Sequence, residues 1–226
     1  MKKKQKYVYI ALLYVNNAVG KFIKFWTKYG YSHATFSFDE NLEDNYAFSR
    51  LNELTPFVCG FVKEKKCHYT SGKEEKVNTI IYKIPVTDEE YKNIKEYINQ
   101  VENDNEYLYN MFSMCTLAVI GGFEVYKAMH CTEFVCKIMT MISSVKMTKK
   151  WYKYLPKDIN NDLEEFKIYD GILDTSKAKK EDDINFFKKF DKKLYRKRYR
   201  YIFRELIYRM IFKKCSPKYD YKKTKL

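Results

Sequence analysis

The chain has 226 residues, of which 46% are hydrophobic and 18% aromatic, with only seven glycines and four prolines. This composition excludes an extensively disordered chain, and the length suffices for one domain with an appendage or for two small domains. The formal net charge is +14, but residues 184–226 contain 16 Lys and Arg against three acidic residues. The preceding 183 residues are therefore nearly neutral, and only the C-terminal region has the charge of an anion-binding surface.

The N-terminal segment begins with basic residues and a short apolar run, as signal peptides do. However, the run Tyr7–Val15 contains three tyrosines, and no clear small-residue cleavage site follows it. We therefore predict a first β-strand. The six cysteines match no compact disulfide framework, which indicates reduced thiols. We expect a cytoplasmic protein. Peripheral attachment to a membrane and secretion both remain open as alternatives.

The next segments alternate between helical and strand patterns. A helix is predicted over 18–30, because its apolar residues recur at helical spacing before Gly30. The alternating segment Ser32–Phe38, the turn-like segment that follows and Asn45–Arg50 predict a β-hairpin. Two further strands are predicted at 57–62 and 78–86.

The second half of the chain reads mainly as helices. Thr87 and Glu90 form a capping-box pattern, which predicts a helix over 87–103. The remaining predicted elements are a helix from about Tyr107 to the glycines at 121–122, a helix over 130–144, a loop with a short helix over 154–166, an edge strand or turn over 167–173, and a basic helix from about Ile184. Together these elements predict an α+β fold with an antiparallel sheet and segregated helices.

Cys131 is the main candidate for chemistry, because it stands where an apolar helix begins. A helix N-terminus and a nearby imidazole both lower the pKa of a thiol and favour the nucleophilic thiolate. His130 is adjacent to Cys131, and adjacent side chains diverge on a helix. His68 lies in a charged, turn-like segment, whereas His33 stands at the start of a well-formed strand. We therefore predict His33 as the general base, against the alternative that both residues are structural.

A third polar group usually holds such an imidazole in place. A tight turn at 40–42 would pair position 33 with about position 49, which puts Asn45 and Ser49 on the face of the hairpin that carries His33. Asn45 and Ser49 are therefore the candidate orienting residues, unless a bulge exchanges the two faces.

Three sequence segments carry a family resemblance. The order "YSHATFSFDENLEDNYAFSR", "HCTEFV" and "LPKDI" resembles the circularly permuted NlpC/P60 group of papain-like cysteine hydrolases, which includes YiiX-like and lecithin:retinol acyltransferase-like proteins. The resemblance extends over Tyr7–Leu173. It implies a papain-like fold with Cys131 as nucleophile, His33 as base and a third polar residue within 45–49, where this chain has no Glu or His.

The resemblance also implies a reaction class. A Cys131 thiolate would attack a carbonyl and form an acyl-enzyme, which water or another acceptor would resolve. Peptide, lipid and other small acyl compounds all fit as substrates, and so do hydrolysis and acyl transfer. We expect no cofactor and no metal, because Cys59, Cys67 and His68 match no common zinc pattern. The predicted organisation is a permuted NlpC/P60-like catalytic domain over 1–183 and a basic amphipathic helical tail over 184–226.

The basic tail has three interpretations. Its apolar residues recur at helical spacing, and Lys and Arg occupy most other positions, as in helices that lie on an anionic membrane. Alternatively, the apolar face packs on the rest of the chain and the charges are solvated. Nucleic acid ranks third, because no recognised binding motif is present. The rival to a thiol enzyme is thus a non-catalytic protein on the same scaffold that binds a membrane surface or nucleic acid.

Overall fold

The computed structural model describes residues 5–16, 21, 25, 28–55, 58–70, 76–189 and 192–224. The helix predicted over 18–30 falls largely outside these residues. The strands are β1 (Lys6–Leu13), β2 (His33–Ser37), β3 (Asn45–Arg50), β4 (Cys59–Glu64), β5 (Val77–Val86), β6 (Leu108–Tyr109), β7 (Ala128–Met129) and β8 (Lys167–Leu173). The α-helices are α1 (Lys66–Thr70), α2 (Asp88–Asn103), α3 (Met111–Ile120), α4 (Cys131–Met139), α5 (Pro156–Asp162), α6 (Ile184–Phe187) and α7 (Lys192–Phe212).

Six of the strands form one antiparallel sheet in the order β4-β3-β2-β1-β5-β8. The predicted α+β class is therefore confirmed. The strand predicted at Tyr7–Val15 is β1 in the middle of the sheet, and the segment 167–173 is the edge strand β8. In the predicted hairpin, β2 and β3 pair Phe36 with Tyr46 and Ser37 with Asn45. This is the register that the turn position predicts.

Helix α2 begins with the predicted capping box. Thr87 Oγ1 accepts a hydrogen bond from the Glu90 amide at 3.1 Å, and the Glu90 carboxylate accepts one from the Thr87 amide at 2.7 Å. These two bonds satisfy amides that have no partner inside the helix. The helix buries Ile94, Ile98 and Val101 in the main core.

The sheet buries both of its faces, because successive side chains of a strand point to opposite sides. On one face, Ile10, Phe36 and Ile84 belong to the main core, together with apolar residues of α2 and α4. On the other face, Tyr9, Leu13 and their neighbours form a smaller apolar cluster. Helix α4 packs against β2 and β3. This packing brings the N-terminus of α4, with Cys131, towards the start of β2, with His33.

Helix α7 contains about half of the predicted basic tail, and one side of it is buried. Ile202 and Leu206 belong to the same core as β1. Arg209 is fully buried, donates to Glu205 at 2.9 Å and also donates to the carbonyl of Glu106. The apolar face of this helix is therefore occupied by the rest of the chain, as the second interpretation of the tail predicts.

Candidate active site

Cys131 is the first residue of α4, and His33 is the first residue of β2. The two side chains lie close enough for each to shift the pKa of the other, although almost a hundred residues separate them in the sequence. The structure thus brings together the predicted nucleophile and the predicted base. His68 lies elsewhere, stacked on Phe186 with its Nε2 at 3.0 Å from the Asp183 carboxylate.

The group that orients His33 is Glu64, at the end of β4. His33 Nε2 donates to Glu64 Oε2 at 2.8 Å, and both side chains are buried. The Tyr69 hydroxyl donates to the same carboxylate oxygen at 3.2 Å. Because Nε2 faces Glu64, Nδ1 is the ring nitrogen that remains for the thiol. Cys131, His33 and Glu64 therefore form a chain of thiol, imidazole and carboxylate.

The two orienting residues predicted from the sequence have other roles. Asn45 does not hold His33, since its amide donates to the Leu42 carbonyl at 2.6 Å and closes the β2–β3 turn. Ser49 lies near Glu64 instead, where it helps to lower the pKa of that carboxylate, and it does not hold the imidazole. The orienting group comes from β4, one strand beyond the predicted hairpin.

The sequence gives only a weak signal for Glu64, because this residue stands in the charged run Lys63–Lys66, which looks like a solvated strand end. The strand pairing supplies the missing information. In the β3–β4 ladder Glu64 pairs with Asn45, so its side chain lies on the face that also carries His33. Between them, β3 presents only the small side chains of Ala47 and Ser49 to this face. A carboxylate on β4 can therefore reach across β3.

The six cysteines differ sharply in their acidity. Burial raises the pKa of Cys59 to about 12 and those of Cys67 and Cys215 to about 11, and it also raises those of Cys115 and Cys136. Burial acts on Cys131 in the same direction, but hydrogen bonds to His130 and His33 and their positive charges lower its pKa well below the ordinary value. Cys131 is thus the one cysteine that favours a thiolate. All six are described, and none forms a disulfide.

The His33 imidazole favours its charged form. Burial alone lowers the pKa of His33, but the Glu64 carboxylate and Cys131 together raise it to about 10. Burial likewise opposes ionisation of Glu64, yet the His33 charge and hydrogen bonds lower the pKa of Glu64. The three side chains therefore form a buried arrangement of thiolate, imidazolium and carboxylate near neutral pH.

His130 is a second imidazole at Cys131, which the sequence argument placed away from the thiol. His130 is the N-cap of α4 and has an extended backbone (φ −101°, ψ 176°), so the divergence of adjacent helical side chains does not apply to it. Its amide donates to Glu133 Oε2 at 3.0 Å, and its Nε2 lies 3.5 Å from Glu133 Oε1. Ser113 donates to the same Glu133 carboxylate at 2.7 Å. A buried network thus supports the second imidazole.

The helix N-terminus adds a site for negative charge. The first intrahelical bond of α4 runs from the Phe134 amide to the His130 carbonyl at 3.0 Å. The amides of 131–133 therefore lie outside the helical ladder, where they favour an anion. The site is nearly closed, since Cys131 is 5% and His33 is 8% exposed.

In the part of the chain that the structure describes, no group of three or more His, Cys, Asp or Glu residues is arranged to hold a metal ion. None of the described helices combines the length and apolar composition needed to cross a bilayer. A scan against protein-family models, a search of the curated proteins and a search of the solved structures each found no match for this chain.

Proposed function

We propose that this chain is a thiol hydrolase or acyltransferase with a papain-like fold of the permuted NlpC/P60 type, in which Cys131 is the nucleophile and His33 the general base. One observation carries the proposal: the His33 imidazole lies between the only acidic thiol of the chain and a buried carboxylate. Cys, His and carboxylate in this order are the parts that nucleophilic catalysis requires. The order of His33 on β2 before Cys131 at the start of α4 is the one that the resemblance implies, whereas the resemblance places the third polar residue within 45–49 and the carboxylate found here lies on β4.

The residues suit a two-step acyl transfer. The Cys131 thiolate attacks the substrate carbonyl carbon, a C–S bond forms, and the carbonyl π electrons move onto oxygen. The amides at the start of α4 stabilise that oxyanion. The tetrahedral intermediate then collapses and expels the leaving group, which takes the proton from the His33 imidazolium. The product of this step is an acyl-enzyme with a neutral imidazole.

The second step returns the site to its starting state. Neutral His33 removes a proton from water or from an acceptor alcohol or amine, which attacks the thioester carbon. The C–S bond breaks and the thiolate forms again beside the imidazolium. Glu64 stays ionised throughout and holds the His33 ring by the 2.8 Å bond from Nε2. The substrate class is an amide, ester or thioester of a peptide, lipid or small acyl compound.

Selective alkylation tests this proposal. Iodoacetamide at pH 6 should modify Cys131 at least about tenfold faster than Cys215, because only the thiolate reacts. His33→Ala should reduce this selectivity, because His130 is then the one imidazole left beside Cys131. His68→Ala is the matched control, since it removes another buried histidine that faces a carboxylate but lies away from Cys131. Peptide mapping by mass spectrometry gives both rates. Equal rates for Cys131 and Cys215 in the wild type would overturn the proposal.

A second candidate is a non-catalytic binding protein whose Cys131 and His33 are structural. The near-complete burial of both side chains favours it, because a substrate needs access to the sulfur. One assay separates the two candidates: hydrolysis of a panel of aryl ester, thioester and peptide amide substrates. If the chain is an enzyme, the wild type hydrolyses at least one of these substrates and Cys131→Ala does not. A structural cysteine would give the same background hydrolysis in both proteins.

A further inference from the structure

The side of α7 that faces away from the core carries mainly positive charge. A groove of about 870 Å³ separates α7 from the segment that follows it. Five cationic residues of α7 line one wall, namely Lys193, Arg196, Lys197, Arg200 and Arg204. Lys218 and Lys223 line the groove from the following segment. Glu205 is the acidic residue of the lining, and its carboxylate already accepts from Arg209 at 2.9 Å and from the Ser216 amide at 3.0 Å.

Several of these cations have no counterion among the residues that the structure describes. Lys223 lies 3.4 Å from the Asp220 carboxylate. By contrast, Arg196, Arg200, Arg204 and their neighbours Lys197 and Lys218 form no ion pair with any acidic residue that the structure describes. Like charges so close together repel one another. The groove is therefore electrostatically complementary to a ligand that carries several negative charges.

The same face of α7 ends in exposed apolar residues. Arg200, Arg204, Ile207 and Ile211 follow one another at i, i+4, i+7 and i+11, so they lie along one side of the helix. Ile211 is 65% exposed, and the adjacent Phe212 is 54% exposed. Because Ile202 and Leu206 fix the opposite side in the core, this arrangement of cations followed by apolar side chains is held towards solvent.

We infer that the outward face of α7 binds the surface of an anionic lipid bilayer. Lipid phosphate groups would enter the basic groove, while Ile207, Ile211 and Phe212 insert between the headgroups. Cations near an anionic surface and shallow apolar insertion are the two contributions that hold a peripheral protein on a membrane. This face is opposite to the apolar face that the amphipathic pattern of the sequence favours for the membrane.

The aromatic residues of the groove argue for lipid over single-stranded nucleic acid. Binding of nucleic-acid strands relies on aromatic rings with an accessible face for base stacking. The Tyr201 ring instead stacks on Tyr219, with centroids 6.4 Å apart, and the Lys223 ammonium lies 5.6 Å from its centroid. The Tyr208 ring packs on Phe212 at 4.5 Å. Exposed isoleucines, in turn, match acyl chains rather than phosphates.

Co-sedimentation of the full-length chain with vesicles tests this inference. We expect binding to vesicles of 70% phosphatidylcholine and 30% phosphatidylserine that weakens with added salt, and little binding to pure phosphatidylcholine. Arg200→Ser/Arg204→Ser should lower the partition coefficient roughly 10- to 30-fold. Ile211→Ser should also lower it, whereas Arg200→Lys/Arg204→Lys should retain binding. The matched control is Lys95→Ser/Lys146→Ser, which removes two exposed cations elsewhere.

Three results would overturn the inference. The first is no binding of the wild type to the anionic vesicles. The second is an equal loss in the Lys95/Lys146 control, which would indicate a nonspecific effect of net charge. The third is preferential binding of single-stranded RNA that displaces the protein from vesicles. Cys131→Ala should bind vesicles like the wild type, so failure of this inference and failure of the proposed enzyme chemistry are distinguishable. Circular dichroism of each variant verifies that it is folded.

Discussion

Replacing Glu64 by glutamine tests the link between the buried carboxylate and the reactivity of Cys131. The substitution retains the shape of the side chain but removes the negative charge that faces His33 at 2.8 Å. The remaining hydrogen-bonding neighbour of the carboxylate is the uncharged Tyr69 hydroxyl. We therefore expect a folded protein in which His33 gives up its proton at a much lower pH.

The size of the effect follows from the pKa of His33. This pKa rises from 6.5 to about 10, which corresponds to roughly 5 kcal/mol of interaction in favour of the imidazolium. Glu64 makes the largest contribution to this favourable interaction, and Cys131 contributes the rest. If Glu64 accounts for half, its loss removes roughly 2–3 kcal/mol, or about two pKa units. The equilibrium between the thiolate–imidazolium pair and the neutral thiol–imidazole pair then shifts towards the neutral pair by about ten- to a hundredfold.

The assay is the rate of Cys131 alkylation by iodoacetamide between pH 4 and pH 10. The wild type should react from acidic pH upwards, because the pKa of Cys131 is lowered and the pKa of His33 lies near 10. Glu64→Gln should lose the His33 proton about two pH units lower, so the inflection that marks this loss should move from about pH 10 to about pH 8. Glu43→Gln, at an exposed carboxylate, is the matched control. A wild-type pH profile in Glu64→Gln would refute the reasoning.

Three further predictions concern stability. The wild type should exceed His33→Gln in stability most strongly between about pH 4.5 and 6.5. This difference should decline towards pH 10, because the contribution of the raised His33 pKa is lost as the pH rises through its folded value, and it should decline again as the pH falls through the lowered pKa of Glu64. Urea unfolding at pH 5.5 and 9.5 measures the difference. Arg209→Met should reduce the free energy of unfolding by about 3–5 kcal/mol, because Glu205 would be left without its cation. Arg204→Met, on the solvent side of α7, should change it by less than about 0.5 kcal/mol. Similar values for the two variants would contradict the packing of α7. Ser113→Ala should reduce the free energy of unfolding by about 1–3 kcal/mol, because the buried Glu133 carboxylate loses its 2.7 Å hydrogen bond. Thermal unfolding measures this loss, with Thr148→Ala as the exposed control.

The elements that the sequence predicts well are those with local causes. The capping box at Thr87 fixes the start of α2, and the glycine at 121, with φ +73°, ends α3. The alternation in 32–50 predicts both strands of the hairpin and the register between them. These features depend on residues only a few positions apart, so the periodicity of the sequence is sufficient to identify them.

The features that the sequence did not predict depend on pairing between distant elements. Glu64 reaches His33 only because β4 lies beside β3, and the order of strands in a sheet does not follow from the periodicity of each strand. The orientation of α7 is a similar case. Its spacing identifies an apolar face, but not whether the chain or a membrane covers that face. Arg209 and Glu205 lie in a highly charged helix, where nothing local distinguishes them from the solvated cations.

The energetic cost of the buried charges distinguishes the two candidate functions. Burial raises the pKa of every other cysteine, and Cys59 and Cys136 show how strongly a closed environment disfavours a thiolate. Holding Cys131 ionised in such an environment requires imidazoles on two sides and the Glu64 carboxylate behind His33. Well-packed apolar residues in the same volume are often equally or more stabilising than buried ion pairs. A protein that used Cys131 and His33 only for packing would gain nothing from this arrangement, whereas a thiol enzyme needs a thiolate at neutral pH.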